Sequence, residues 1–320
     1  MDHSKFLQLL YSPDEANIGV ALEMAKGLPA FEPYITTYLT LAQCFLRKNL
    51  KKVNAKHIAQ LNQEALHLVN KKITSLPPQL DLLKNLRILD LKGNQLASFP
   101  GNTTGLENLV ELHLGENQLR VLTKTISQLE NLEYIYLHNN QLSDLPQEIG
   151  QLKSLRRLNL FENRLKDIPK EIQHLQNLEA LDLRNNHFTT LPPEVGQLKI
   201  KDLNLENNQI KDLPKELNAL EKLTNLFLQK NHLKEVPPCI CELPQLEYLD
   251  MSENQLTALP NELVQLSTLK RLYLHNNRLT SLSLNLEHLT QLEWLDLRKN
   301  PLSRQEKARV KAALPNCTVL

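Results

Sequence analysis

Two cysteines one residue apart, Cys239-Ile240-Cys241, are the first place in this 320-residue chain to look for chemistry. A structural zinc site needs a companion pair at ligand spacing, and none follows. Ile240 falls on an apolar core position, so the two cysteines read as ordinary thiols flanking it. His113 and His138 can approach each other across neighbouring strands, but no acid or cysteine at equivalent positions completes a metal set. The stretch GNTTG, Gly101 to Gly105, lacks the lysine of a phosphate-binding loop, and no Gly-x-x-x-x-Gly-Lys-Ser/Thr occurs anywhere. The basic run RKNLKK, from Arg47 to Lys52, reads as a solvated boundary segment. The residues thus predict no catalytic group, no metal and no cofactor, and the chain is expected not to be an enzyme.

Composition narrows the partner. Lys plus Arg number 37 against 36 Asp plus Glu, a balance that gives no support to nucleic acid or an acidic membrane surface. The first residues, MDHSKFLQLLYSPDEAN, lack the zones of a secretory signal. The longest mostly apolar stretch, Tyr34 to Leu46, falls short of the roughly 20 residues of a spanning helix, so no membrane insertion is expected. Cys44, Cys239, Cys241 and Cys317 are too scattered for a disulfide framework. A cytoplasmic location is the expectation.

What must position any functional residue is a repeat. Leu-x-Leu-x-x-Asn-x-Leu recurs from Leu66 onward, followed three residues later by an apolar residue and usually Pro. Its first leucine-type position falls at Leu66, Leu89, Leu112, Ile135, Leu158, Leu181, Leu203, Leu226, Leu249, Leu272 and Leu295, in steps of 23 residues except for 22 between Leu181 and Leu203. The Asn position holds Asn94, Asn117, Asn140, Asn163, Asn186, Asn208, Asn231, Asn254, Asn277 and Asn300. Only the first coil departs, with Lys71 there and Asn70 just before it. One coil cannot bury its own leucines, so coils must stack. A buried Asn can bond backbone of its own and adjacent coils where the turn has left the strand ladder. The Leu-Pro steps, such as Leu145-Pro146 and Leu213-Pro214, fix an extended bend that starts the convex side. The missing residue predicts a shortened connection near Lys199 and Ile200.

These motifs resemble the leucine-rich-repeat family, most closely its intracellular 23-residue class with a Leu-Pro step, seen in bacterial repeat proteins and Ras-group scaffolds. The resemblance implies an α/β solenoid: a right-handed horseshoe with a parallel concave β-sheet, an irregular or short-helical convex side and a helical N-terminal cap. It divides the chain into a cap over 1–55, the solenoid over 56–302 and a C-terminal cap over 303–320. Ser12-Pro13-Asp14-Glu15 reads as a helix start with a capping box, and Gly27 as its stop. Further helical segments are expected over about Pro33 to Arg47 and Ala55 to Leu61. Ser303 with Glu306 repeats the capping box before a last helix that Pro315 ends, and NCTVL adds a short strand with Cys317 inward.

Numbered from the leucine that opens each strand, the third, fifth, seventh and eighth positions point out of the sheet and are free to vary. Nine aromatic residues lie between Ala65 and Leu302, and seven occupy those positions: Tyr134, Tyr136, Phe161, Phe227, Tyr248, Tyr273 and Trp294. With His113, His138, Arg184 and His275 they form the candidate binding residues of the concave face. Aromatic residues also suit strands for their own sake. Their grouping into two clusters argues for a surface meant to be covered. Eleven strands of about five residues give a face of about 800 Å², one side of a standard interface. Nearby Arg157, Asp182, Asp202, Glu206, Asp250, Arg271, Asp296 and Arg298 either add specificity or pair with one another between adjacent coils.

The expected function is non-catalytic protein binding on the concave face, as an interaction module or scaffold with a place in signalling. One alternative is a substrate-recognition component of an enzyme complex. Another is a structural role through the N-terminal helices, where Tyr11, Phe31, Tyr34 and Tyr38 are either contact or core residues.

Overall fold

The computed structural model describes residues 3–282 and 285–320. The chain forms two compact units, Met1–Leu142 with Gln151–Leu155, and Ser143–Gly150 with Arg156–Leu320.

The first unit begins with four helices: α1 (His3–Leu10), α2 (Glu15–Ala25), α3 (Glu32–Phe45) and α4 (Ala55–Leu61). Sequence reasoning did not announce α1. Its apolar residues Phe6 and Leu10, four apart, are fully buried, and the Phe6 ring stacks on Phe31 with centroids 3.8 Å apart, so that packing supports this short helix. The expected start of α2 shifts by two residues, because the cap is Asp14, whose carboxylate accepts from the Ala16 and Asn17 N–H groups at 2.7 and 3.1 Å. Ser12 Oγ instead accepts from the Asp14 N–H. At the centre, Tyr38 donates to Asn62 Oδ1 at 2.6 Å, and Asn62 Nδ2 donates to the Leu10 and Ser12 carbonyls. Tyr38 and Phe31 are therefore core residues.

Four parallel strands follow in chain order, β1 (Ala65–His67), β2 (Ile88–Asp90), β3 (Glu111–His113) and β4 (Tyr134–Tyr136), with Leu66, Leu89, Leu112 and Ile135 in one buried row. The second unit continues the design with β5 (Arg157–Asn159), β6 (Ala180–Asp182), β7 (Asp202–Asn204), β8 (Asn225–Phe227), β9 (Tyr248–Asp250), β10 (Arg271–Tyr273), β11 (Trp294–Asp296) and the closing β12 (Thr318–Val319). All are parallel to their neighbours within the unit. Strands β1 to β11 span three residues each rather than five. Backbone bonding runs further, as from Leu228 N–H to the Asp250 carbonyl and from Lys230 N–H to that of Ser252.

Beyond the strands a buried Asn ties adjacent coils together, in several coils through four hydrogen bonds. Asn254 Oδ1 accepts the Leu233 N–H of the preceding coil at 3.0 Å, and its Nδ2 donates to the carbonyls of Leu228, Met251 and Ser252. In the first unit, Asn117 repeats the pattern with Leu96, Leu91, Leu114 and Gly115. The residue just before this Asn has a left-handed backbone in every coil, including Glu116, Glu162, Lys230, Glu253 and Lys299 with φ between 53° and 57°. That eighth position, expected to be free to vary, is thus conformationally constrained, a limit that Asn70, Gly93, Asn139, Asn185, Asn207 and Asn276 signal and that Glu and Lys in the other coils conceal.

On the opposite side the prolines open single 3-10 turns. Pro169, Pro192, Pro214 and Pro260 sit at ψ near 145°, and their carbonyls accept from the third residue on. A short helix α5 (Pro238–Cys241) takes this place in one coil. The 22-residue coil shows its deletion locally: the residue after its 3-10 turn, Leu198, is extended at ψ 164°, whereas Leu175 and Leu220 turn at 64° and 75°. At the second position of the strand segment charges alternate: Glu179 bonds Arg156 at 3.1 Å and Lys201 at 3.0 Å, and Glu247 pairs with Lys270 at 2.8 Å.

The final helix α6 (Arg304–Ala313) is capped by Ser303 Oγ, which accepts from the Glu306 N–H. The expected reciprocal half of the capping box is redirected. Glu306 Oε1 accepts from the Leu282 N–H at 2.7 Å, tying the helix to the preceding coil.

Candidate binding face

The exposed side of each strand is built by alternation. In the fifth position an Asp or Asn folds its carbonyl-type oxygen back onto the N–H two residues on, at 2.9 to 3.2 Å in Asp90, Asn159, Asp182, Asn204, Asp250 and Asp296. Such a residue closes its own turn. His113, Tyr136, Phe227 and Tyr273 occupy the same position in other coils and present a ring there instead.

In the first unit, His113, Tyr134, Tyr136 and His138 are all half-buried on this face. The His113 ring stacks on Tyr136 with centroids 4.5 Å apart and 18° between planes, and its Nε2 lies 3.2 Å from Glu111 Oε2. His138 lies over Gly115, where a Cβ would come within 2.3 Å of its ring; the glycine makes room for the imidazole. The two histidines thus sit in different surroundings.

In the second unit, Phe161 is covered by Arg184, whose guanidinium carbon stands 4.8 Å from the ring centre. The same guanidinium forks onto Asp182 at 2.6 to 3.1 Å. Arg298 repeats the fork on Asp296. These pairs form within a coil, two residues apart, whereas Lys230 and Glu206, 3.1 Å apart, pair between adjacent coils.

The second cluster is continuous. Phe227 lies 4.8 Å from Tyr248, Tyr248 lies 5.1 Å from Tyr273, and Tyr273 lies 6.4 Å from Trp294, measured between ring centres. His275 Nδ1 is 3.3 Å from Asp296 Oδ2, close enough for attraction but out of line for a hydrogen bond. Two further polar atoms here, Gln229 Oε1 and Trp294 Nε1, are buried without a partner. Burial, with Asp250 next in effect, pushes the Tyr248 hydroxyl up. At Asp296 burial acts upward but is outweighed by Arg298, so its carboxyl lies below the usual range. At Asp250 burial wins over the Ser252 bonds, and the carboxyl lies above it.

Elsewhere, burial pushes the Cys239 and Cys241 thiols up to about 12 and about 11, which leaves them protonated and poorly nucleophilic at neutral pH. All four cysteines are free thiols. No group of three or more potential metal-binding side chains comes together among the described residues, and none of their helices is long and apolar enough to cross a membrane.

Comparison with known proteins follows the repeat. The sequence model described as "Leucine-rich repeat region" matches residues 34–163 and 197–318, and that of "Leucine Rich repeats (2 copies)" matches 153–195. Curated protein sequences give no match. Among solved structures, an LRR protein of Leptospira interrogans is 33% identical, with 85% of this chain and 93% of that one covered at a TM-score of 0.49. The LRR portion of FLRT2, solved in an octameric complex with Latrophilin 3 and Unc5D, is 25% identical over 81% and 84% of the chains at 0.71. The Arabidopsis receptor kinase HAESA, solved with the peptide hormone IDA and the co-receptor SERK1, is 28% identical at 0.62, covering 80% of this chain and 45% of its own.

Proposed function

The chain belongs to the leucine-rich-repeat family, and from that premise we infer that it is a non-catalytic protein-binding module acting through the exposed sheet face. The observation that carries this reading is the unbroken row Phe227, Tyr248, Tyr273 and Trp294. Half-buried rings fixed by a stacked backbone lose little freedom when a partner covers them, and large aromatic anchors dominate the energetics of many interfaces. The neighbours solved with protein or peptide partners support the same reading by analogy of fold. Free thiols throughout favour a reducing, cytoplasmic setting.

The test is retention of proteins from a cell lysate by the wild-type chain and by a variant with Tyr136, Phe161, Phe227 and Tyr273 changed to Ala. A partner held by the first and lost from the second, with the variant's circular dichroism unchanged, is the expected result. Equal retention overturns the reading.

A second reading places the contact at the N-terminal helices. It is favoured by an open groove of about 1610 Å³ in the first unit, lined among others by Lys5, Tyr11, Lys84, Arg87 and Asn131. Lys84 Nζ stands 5.2 Å from the Tyr11 ring centre. Charge reversal at Lys5 and Arg87 separates the two surfaces.

A further inference from the structure

We propose that the sheet face around Asp250 is a receptor for a basic side chain, a lysine or arginine of the partner protein, whose cation reaches the Asp250 carboxylate beside the Tyr248 ring, in the strand register between Phe227 and Tyr273. The inference rests on the protein-binding reading above and names the chemistry that the partner must bring.

The chain supplies its own template. Leu-Asp-Leu-Arg occurs at residues 181–184 and again at 295–298, and in both places the arginine forks back onto the aspartate two residues before it. At residues 249–252 the same stretch reads Leu-Asp-Met-Ser. Ser252 stands where the arginine would be, and its N–H and Oγ both donate to Asp250 Oδ1, at 2.9 and 2.6 Å. Asp250 is only 8% exposed, and among the described residues no cation forms an ion pair with it. Two hydrogen bonds to one oxygen leave the other lone pairs of a desolvated carboxylate to be met.

The register frames the site. Phe227, Asp250, Tyr273 and Asp296 stand opposite one another along one row of β8 to β11, and Asn225, Tyr248, Arg271 and Trp294 along the next. A carboxylate between two aromatic residues is a cation site in two respects, since the ring faces attract the charge and the carboxylate neutralises it. Arg184 already realises this combination inside the chain, lying on Phe161 while it forks onto Asp182. Of the cationic neighbours, Lys230 is paired with Glu206 and Arg298 with Asp296; Lys230 and the nearby His275 act on Asp250 without pairing with it. Exposed Arg271 sets the far limit of the receptive zone, next to Tyr248 and Trp294. The upward shift of the Asp250 carboxyl agrees with a charge that lacks its counterion.

Trp294 is the only tryptophan of the chain, so its fluorescence reports on this row alone. The experiment titrates the full-length protein with acetylated, amidated Gly-Arg-Gly and with its lysine and citrulline counterparts. Saturable fluorescence change with arginine and lysine but not with uncharged citrulline is expected. Asp250→Asn, which keeps the shape, is expected to weaken binding about tenfold or more, and Ser252→Arg to do the same by filling the site from within. Equal response to citrulline, no saturable response to any peptide, or full binding by folded Asp250→Asn overturns the proposal. Retention of the lysate partner distinguishes the two levels of inference. If the four-alanine variant loses the partner and Asp250→Asn keeps it, protein binding stands and the cation receptor falls; if both lose it, both stand; if the four-alanine variant keeps it, both fall.

Discussion

At the scale of single residues, the most consequential side chain is the buried amide. Asn254 joins two coils through one accepted and three donated hydrogen bonds, and truncation leaves several buried backbone groups without partners. Asn254→Ala is expected to cost about 3 kcal/mol, from one to three per orphaned group with partial relaxation, read as a fall in the urea midpoint at unchanged slope. The residue before each such Asn makes a different demand. Glu162 sits at φ 55°, where a branched Cβ collides with its own backbone. Glu162→Val is expected to destabilise by about 1 to 2 kcal/mol, whereas Glu162→Gly leaves the melting temperature unchanged or raises it. The Asn positions were legible in the sequence because the amide recurs in every coil but the first. The left-handed residue was legible only in part, since Gly93 and the Asn residues of five coils favour that conformation whereas Glu and Lys carry no sign of it. The bare carboxylate lies between these cases: Leu-Asp-Met-Ser is visible beside two copies of Leu-Asp-Leu-Arg, but its meaning requires the fork that only geometry displays.

At the scale of elements, helices were read well where packing and capping agree, as in α4, whose Asn54 and His57 bond reciprocally. They were misread where one overrides the other. Helix α1 has the apolar spacing of a helix over only eight residues, and α2 begins at whichever candidate cap the backbone reaches, Asp14 rather than Ser12. In α6 the Glu306 carboxylate is held by Arg309 and by the Leu282 N–H, which lower its pKa to about 2. A depressed carboxyl contributes stability that is present above its unfolded value, near 4.3, and is lost as the pH falls toward the folded one. Amide protection in α6, relative to the intrinsic exchange rate at each pH, is therefore expected to fall between about pH 4.5 and pH 2, while Glu306→Gln shows lower protection at neutral pH and a flatter response to acid. Asp296 acts in the same direction and Asp250 in the opposite one, so exchange must be followed in the helix itself and not through global unfolding.

At the scale of the whole molecule, a repeat of constant length tolerates loss of a complete repeat better than loss of part of one, because each coil meets only its neighbours. Excising residues 225–247 joins Thr224 to Tyr248, removes one 23-residue period and preserves the phase of every leucine. The shortened protein is expected to unfold in a single cooperative transition at a somewhat lower temperature. Excising 225–248, one residue more, breaks the inside-outside alternation of the strand at the join, between Thr224 and Leu249, and is expected to lower the calorimetric transition temperature further than the whole-period excision. Phase was the part of the fold that the sequence displayed most openly, since leucines recur at fixed intervals and the single 22-residue step reappears as the extended Leu198. The separation into two compact units was not legible, because no shift in composition accompanies it.

Leucines and asparagines that recur from coil to coil say how to stack but not which coil goes where. Arg156, Glu179 and Lys201, followed further on by Glu247 and Lys270, write a second and nonuniform text beneath the first. Each pair contributes little on its own at an exposed position. Their order nevertheless tells one coil from the next: coils set against the wrong neighbour would bring like charges side by side.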